Sequence, residues 1–109
     1  MSYESIRFSV EEGVAHIVLA RPKQANTINK AFAVEFRDAV IKCKADPNVR
    51  AVLLSAQEGP IFSAGGDRGT FAACGDELPQ EMAAMLEEFH APIQTLNEMN
   101  APLVVAVNG

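Results

Sequence analysis

The stretch Phe62-Ser63-Ala64-Gly65-Gly66-Asp67 holds the residue types best suited to chemistry on a carbonyl compound. Gly65 and Gly66 carry no side chain, so a ligand can approach the backbone closely there. Aspartate is a strong N-cap. If Asp67 caps a short helix, the amides of the bend lie at that helix's positive end. Backbone N–H groups so placed stabilise negative charge as it develops on a carbonyl oxygen. The same six residues also make a plain Gly-Gly turn followed by an N-capping aspartate, and residue type alone leaves both readings open.

Other chemical groupings are missing from the sequence. There is no Ser/His/Asp set, no HExxH and no Walker-type loop. His16 falls in an apolar strand segment and His90 in a long helical one; a lone histidine in either place is packed or solvent-facing. Glu81, Glu87 and Glu88 flank an apolar stripe and read as a solvated face, while Met82 and Met85 belong to the stripe itself. Cys43 and Cys74 lack CxxC spacing, so neither a metal site nor a disulfide framework is expected, and a reducing cytoplasm is the default.

The chain has 109 residues, 49% hydrophobic and 21% charged, which is globular composition and excludes a disordered tail. Acids outnumber bases 14 to 9, and a net charge of −5 argues against a nucleic-acid partner. Nor does any apolar run approach the ~20 residues of a membrane span. Met1-Ser2-Tyr3-Glu4 lacks the layout of a signal peptide.

These residues need a scaffold, and the hydrophobic pattern supplies one. Ile6, Phe8 and Val10 alternate with polar residues as in a half-buried strand, Glu11-Glu12-Gly13 is a turn, and Val14 to Ala20 is a second strand. Residues 21–27 form a loop. Asn29 is an N-cap for an amphipathic helix from Lys30 to Lys44, marked by Phe32, Phe36, Val40 and Cys43 and stopped at Asp46-Pro47-Asn48. Val49 to Ala56 reads as a strand covered on both faces, and Ile61 to Ser63 as a short strand leading into the glycine bend. Thr70 to Cys74 is a short helical turn ended by Gly75. Leu78-Pro79 opens a long helix carrying Met82, Met85, Leu86, Phe89, Ile93 and Leu96, with Pro92 expected to kink or break it. A final apolar strand precedes Asn108-Gly109 and is suited to full burial. Alternating strands and helices predict an α/β class. The run ending at Gly109 looks like the front part of something longer, because an uncovered strand of this kind invites association.

Three segments in order resemble the enoyl-CoA hydratase/isomerase, or crotonase, superfamily. Arg21-Pro22-Lys23-Gln24-Ala25-Asn26 is similar to its RP-x-x-x-N loop, Phe62 to Asp67 to its F-[SC]-A-G-x-D segment, and Ala101 to Gly109 to its K-P-V-I-A-A-V-N-G strand. The resemblance implies a crotonase-like ββα spiral fold. Residues 1–109 would then be the N-terminal part of a single such domain, its remainder absent from the sequence.

By the same resemblance, Gly66 matches the position whose N–H is one half of an oxyanion hole for an acyl-CoA thioester. Ala64 matches a coenzyme A contact, with Gly65, Asp67 and Arg68 beside it, and Lys23 and Ala25 match the loop across the coenzyme A groove. The resemblance implies no cofactor beyond the coenzyme A of the substrate, no metal, and a homo-oligomer, trimeric or hexameric. The family's second oxyanion donor and its acid/base carboxylates fall after the V-N-G strand, so no acid present matches a catalytic position and the chain is expected to be inactive alone. Hydration of a 2-enoyl-CoA is the default activity, with double-bond isomerisation and thioester hydrolysis equally allowed. The alternative is a non-catalytic assembly or binding partner on the same fold.

Overall fold

The computed structural model describes residues 2–108, so the expectation for Gly109 lies outside the described residues. Its elements are β1 (Ile6–Glu11), β2 (Val14–Leu19), α1 (Lys30–Ala45), β3 (Ala51–Ala56), α2 (Arg68–Cys74), α3 (Leu78–Glu98) and β4 (Leu103–Val105). β1 and β2 make the expected hairpin, with Ile6 opposite Leu19 and Glu11 opposite Val14. Its turn places Glu12 at φ 51° and Gly13 at φ 83°, a left-handed path that glycine follows without steric penalty. β3 joins β2 in parallel and β4 joins β3 in parallel, giving a four-stranded sheet in the order β1-β2-β3-β4.

Helix α1 starts where Asn29 Oδ1 accepts the Phe32 N–H at 2.8 Å. Phe32, Phe36, Ala39, Val40 and Cys43 recur at helical spacing and are all buried. They form one core with Ala15, Ile17 and Leu19 of β2, Val52 of β3 and Leu96 of α3. Phe89 of α3 packs on Phe32 and Phe36 at centroid separations of 6.2 and 5.7 Å. Each fully buried side chain of this size contributes about 1.5–3 kcal/mol, so this layer between sheet and helices fixes where the loops at its edge emerge. Glu35 adds a polar tie. Its Oε1 accepts the Glu4 and Ser5 N–H groups at 2.8 and 2.9 Å, fastening the start of β1 to α1.

Four expectations change. Of the kink or break expected at Pro92, the break does not occur: α3 runs from Leu78 to Glu98 through it. Pro92 is buried in line with Met85 and Leu96, and that burial offsets the single backbone hydrogen bond a proline removes. Residues 61–63 are not a strand, because their polar groups bond to a loop residue rather than to a neighbouring strand. β3 is not covered on both faces: only Val52 of its six residues is buried. β4 is exposed, with Val104 at 56%, because among the described residues it has one strand neighbour and lies at the sheet edge.

Candidate functional site

Two loops emerge side by side from the edge of this core. Residues 21–28 connect β2 to α1, and residues 57–67 connect β3 to α2. In the first, Pro22–Gln24 makes a single 3-10 turn that ends at Ala25, and Ala25 and Asn26 both adopt left-handed backbone at φ 54° and 51°. That reversal brings the chain back against the second loop. Ala64 N–H donates to the Ala25 carbonyl at 3.0 Å, and Asn26 Nδ2 donates to the Phe62 carbonyl at 2.9 Å. A parallel bridge then joins Ile28 to Gly66: Ile28 N–H donates to the Gly65 carbonyl at 2.7 Å, and Asp67 N–H donates to the Ile28 carbonyl at 2.9 Å.

The bridge uses the Gly65 carbonyl and the Asp67 N–H on either side of Gly66 and does not use the Gly66 N–H. Ala64 and Asp67 donate to loop carbonyls, and Gly65 N–H lies 3.3 Å from Ser63 Oγ. Among the described residues the Gly66 N–H has no protein acceptor, and Gly66 is exposed. The Phe71 ring lies against the other side of this residue. A Cβ at position 66 would stand 2.7 Å from Phe71 Cε2.

Asp67 caps α2 as its residue type suggests, Oδ1 accepting the Thr70 N–H at 3.1 Å. Its other oxygen accepts from the Thr27 hydroxyl at 3.2 Å and faces Arg21 Nη2 at 3.4 Å. The Thr70 amide foremost, and then Thr27 and Arg21, hold its carboxyl below the ordinary 3.8.

Lys23 sits in the 3-10 turn and Arg68 opens α2; both are exposed, and neither joins an ion pair among the described residues. Ala25 and Ala64 are brought into direct backbone contact, the Ala64 N–H donating to the Ala25 carbonyl. A cavity of about 440 Å³ beside Lys23 is walled by Glu4, Asn29 and Ala31 rather than by the glycine bend. His16 is half-buried with Nε2 2.7 Å from Ser55 Oγ, and no carboxylate bonds to it among the described residues. His90 is exposed, and Glu88 pairs with Arg37 at 2.9 Å.

The sequence model of the enoyl-CoA hydratase/isomerase family matches residues 9–109. The chain belongs to that family. Among its relatives, the crotonyl-CoA hydratase of Syntrophomonas wolfei is 30% identical over 100% of this chain and 41% of its own length. The cyclohexa-1,5-dienecarbonyl-CoA hydratase of Thauera aromatica is 36% identical over 84% of this chain and 32% of its own. The solved enoyl-CoA hydratase/isomerase of Xanthobacter autotrophicus Py2 superposes with a TM-score of 0.86 at 25% identity, covering 99% of this chain and 40% of that one. The chain thus spans about two fifths of the length of the first curated relatives it matches, and over that length it has the crotonase-like α/β fold. In this hydratase/isomerase chain, sequence reasoning missed the side chains that hold the bend. Phe71 gives a faint signal, four residues past the N-cap Asp67 and so one turn into the helix. Thr27 gives none, since a polar residue in a loop carries no periodicity, and Arg21 stands out only as the first residue of the Arg21–Asn26 loop resemblance.

Proposed function

We propose that this chain supplies a hydrogen-bond donor, the Gly66 N–H, to the thioester carbonyl of an acyl-CoA in an enzyme of the hydratase/isomerase class. The observation that carries the reading is the exposed Gly66 amide, without a protein acceptor among the described residues in a bend whose neighbouring amides are engaged. When water adds to a 2-enoyl-CoA, or a proton leaves the α-carbon, electron density moves onto the thioester oxygen as an enolate. A donor already aimed at that oxygen binds it more tightly in the transition state than in the ground state. Removing one such donor costs ~10²–10³-fold in rate.

Coenzyme A belongs to the substrate in this reading, and no further cofactor is invoked. It lies across the outer surface of the joined Lys23–Ala25 loop and Ala64–Arg68 bend, with Lys23 and Arg68 as the cations facing its phosphates. Gly65 permits the close backbone approach, and Asp67 fixes the start of α2. The enzyme works in the cytoplasm. Among the described residues no helix is long and apolar enough to cross a membrane.

The test is a titration of the chain with crotonyl-CoA, followed by the backbone ¹H–¹⁵N resonances. The Gly66 proton moves downfield more than those of Gly65 and Asp67, and the Lys23 and Arg68 amides move with it. Saturable shifts elsewhere with a stationary Gly66 proton would refute the donor assignment.

A further inference from the structure

The Gly66 amide follows a second glycine, so its direction is not fixed by packing. Gly65 adopts φ +88°, and a Cβ built there meets nothing within 4 Å. Two adjacent glycines with open space beside one of them form the most flexible backbone a chain offers. An oxyanion donor is useful only when its direction is set before the charge develops. Hydrogen bonds from outside the bend must therefore hold it.

We infer that Asn26 is a positioning residue for the Gly66 N–H, an inference that rests on the donor reading of Gly66 above. Asn26 is 1% exposed, the most deeply buried polar residue of the site. Its left-handed backbone at φ 51° is one that asparagine tolerates better than most residues. All four of its polar groups are engaged. Its N–H donates to the Arg21 carbonyl at 2.9 Å, and its Oδ1 accepts the Arg21 N–H at 2.7 Å, closing the first loop on itself. Its Nδ2 donates to the Phe62 carbonyl at 2.9 Å, and its own carbonyl accepts the Ser63 hydroxyl at 2.9 Å, holding the second loop. Ser63 Oγ then receives the Gly65 N–H at 3.3 Å, so bonds run from Asn26 to the residue before the donor. Two residues past Asn26, Ile28 bonds to both Gly65 and Asp67 and brackets Gly66 between them. Asn26 sets the path of one loop and ties it to the other. Truncating its side-chain amide removes the ties to Arg21 and Phe62 that set the paths of the two loops on which the bracket is built, while the core of Phe32, Phe36 and Val40 keeps its own contacts.

The test compares the native chain with Asn26→Asp and Asn26→Gly by ¹⁵N relaxation, without ligand. Asn26→Asp keeps the shape and the bond from Arg21 N–H but sets an oxygen against the Phe62 carbonyl. Asn26→Gly keeps the left-handed backbone and deletes both side-chain bonds. In the native chain Gly66 should show an order parameter of about 0.85, that of rigid backbone, falling below about 0.6 in both variants while the resonances of α1 and β2 stay in place. Addition of crotonyl-CoA should then shift the Gly66 proton in the native chain and lose that shift in the variants. A Gly66 amide already mobile in the native chain overturns the inference, as does one that stays rigid in a folded variant. Unfolding of both variants also overturns it, since Asn26 then serves the fold at large rather than this bend. A rigid native Gly66 that becomes mobile in the variants, yet never responds to crotonyl-CoA, refutes the donor reading and supports the placement of the amide by Asn26.

Discussion

Adding one methyl group at Gly66 tests the packing that surrounds the donor without removing the donor. A Cβ there stands 2.7 Å from Phe71 Cε2, 3.4 Å from Cζ and 3.8 Å from Cδ2. Carbon atoms in comfortable contact sit ~3.5–4.0 Å apart, so only the first of these is a serious overlap. Overpacking of this kind costs about 1–3 kcal/mol. The low end applies, because α2 contains no buried residue and the half-buried Phe71 ring has room to give. Gly66 is not among the glycines with positive φ, so alanine adopts its backbone without strain. Once the ring is removed, Gly66→Ala should stabilise by ~0.4–1 kcal/mol through the unfolded chain. The effect of Gly66→Ala therefore changes sign between the native and Phe71→Ala backgrounds, with a coupling of about 1.4–2 kcal/mol. Urea unfolding of the four proteins in this cycle measures it. The same effect of Gly66→Ala in both backgrounds would show that Phe71 does not lie against the bend.

The charge of Asp67 gives a pH signature. Its folded carboxyl titrates below 3.8, held down by the Thr70 N–H first and then by Thr27 and Arg21, so its stabilisation is complete above 3.8 and is lost as pH falls through the lower folded value. The stability gap between native chain and Asp67→Asn, followed by urea midpoints, should be constant near neutrality and close in that acid range. The two thiols should differ in reactivity: burial pushes Cys43 up to about 11, whereas Cys74 is partly exposed. Iodoacetamide followed by mass mapping should label Cys74 alone in the folded chain and both in urea. Substituting Lys23 and Arg68 together by glutamate should weaken crotonyl-CoA binding in calorimetry and flatten its dependence on salt; unchanged affinity would put the coenzyme A groove elsewhere.

The sequence showed the first strand and α1 because each carries a strong period, and the parallel strand because Val49 to Ala56 is a bounded, nearly continuous apolar run. The stripe from Phe32 to Cys43 leaves little choice of which face is buried, whereas of the alternating Ile6, Phe8 and Val10 only Ile6 is buried and Val10 is exposed. The Asn29 and Asp67 caps were legible for the same local reason, since a cap depends on a few consecutive residues. Pro92 misled because a local rule was applied where tertiary burial decides. Residues 61–63 misled because a short apolar run has the look of a strand, and only the distant Asn26 shows where its hydrogen bonds go. At the site, Gly66 and Asp67 stood out by type. The Thr27 and Arg21 contacts to Asp67 did not, because Arg21 and Asp67 are far apart in sequence and meet only through a loop path set by left-handed backbone at Ala25 and Asn26.

The strength of the carbonyl's hydrogen bond is the most direct test of the Gly66 donor. Crotonyl-CoA labelled with ¹³C at the thioester carbonyl gives an infrared band that moves to lower frequency as the carbonyl is polarised. Isotope-edited difference spectra of the bound ligand should show that displacement with the native chain and with Gly66→Ala, which keeps the N–H. Gly66→Pro, which deletes it, should return the band to its position in water or beyond. A bound carbonyl displaced equally by the native and proline chains would contradict the assignment of Gly66 as its donor.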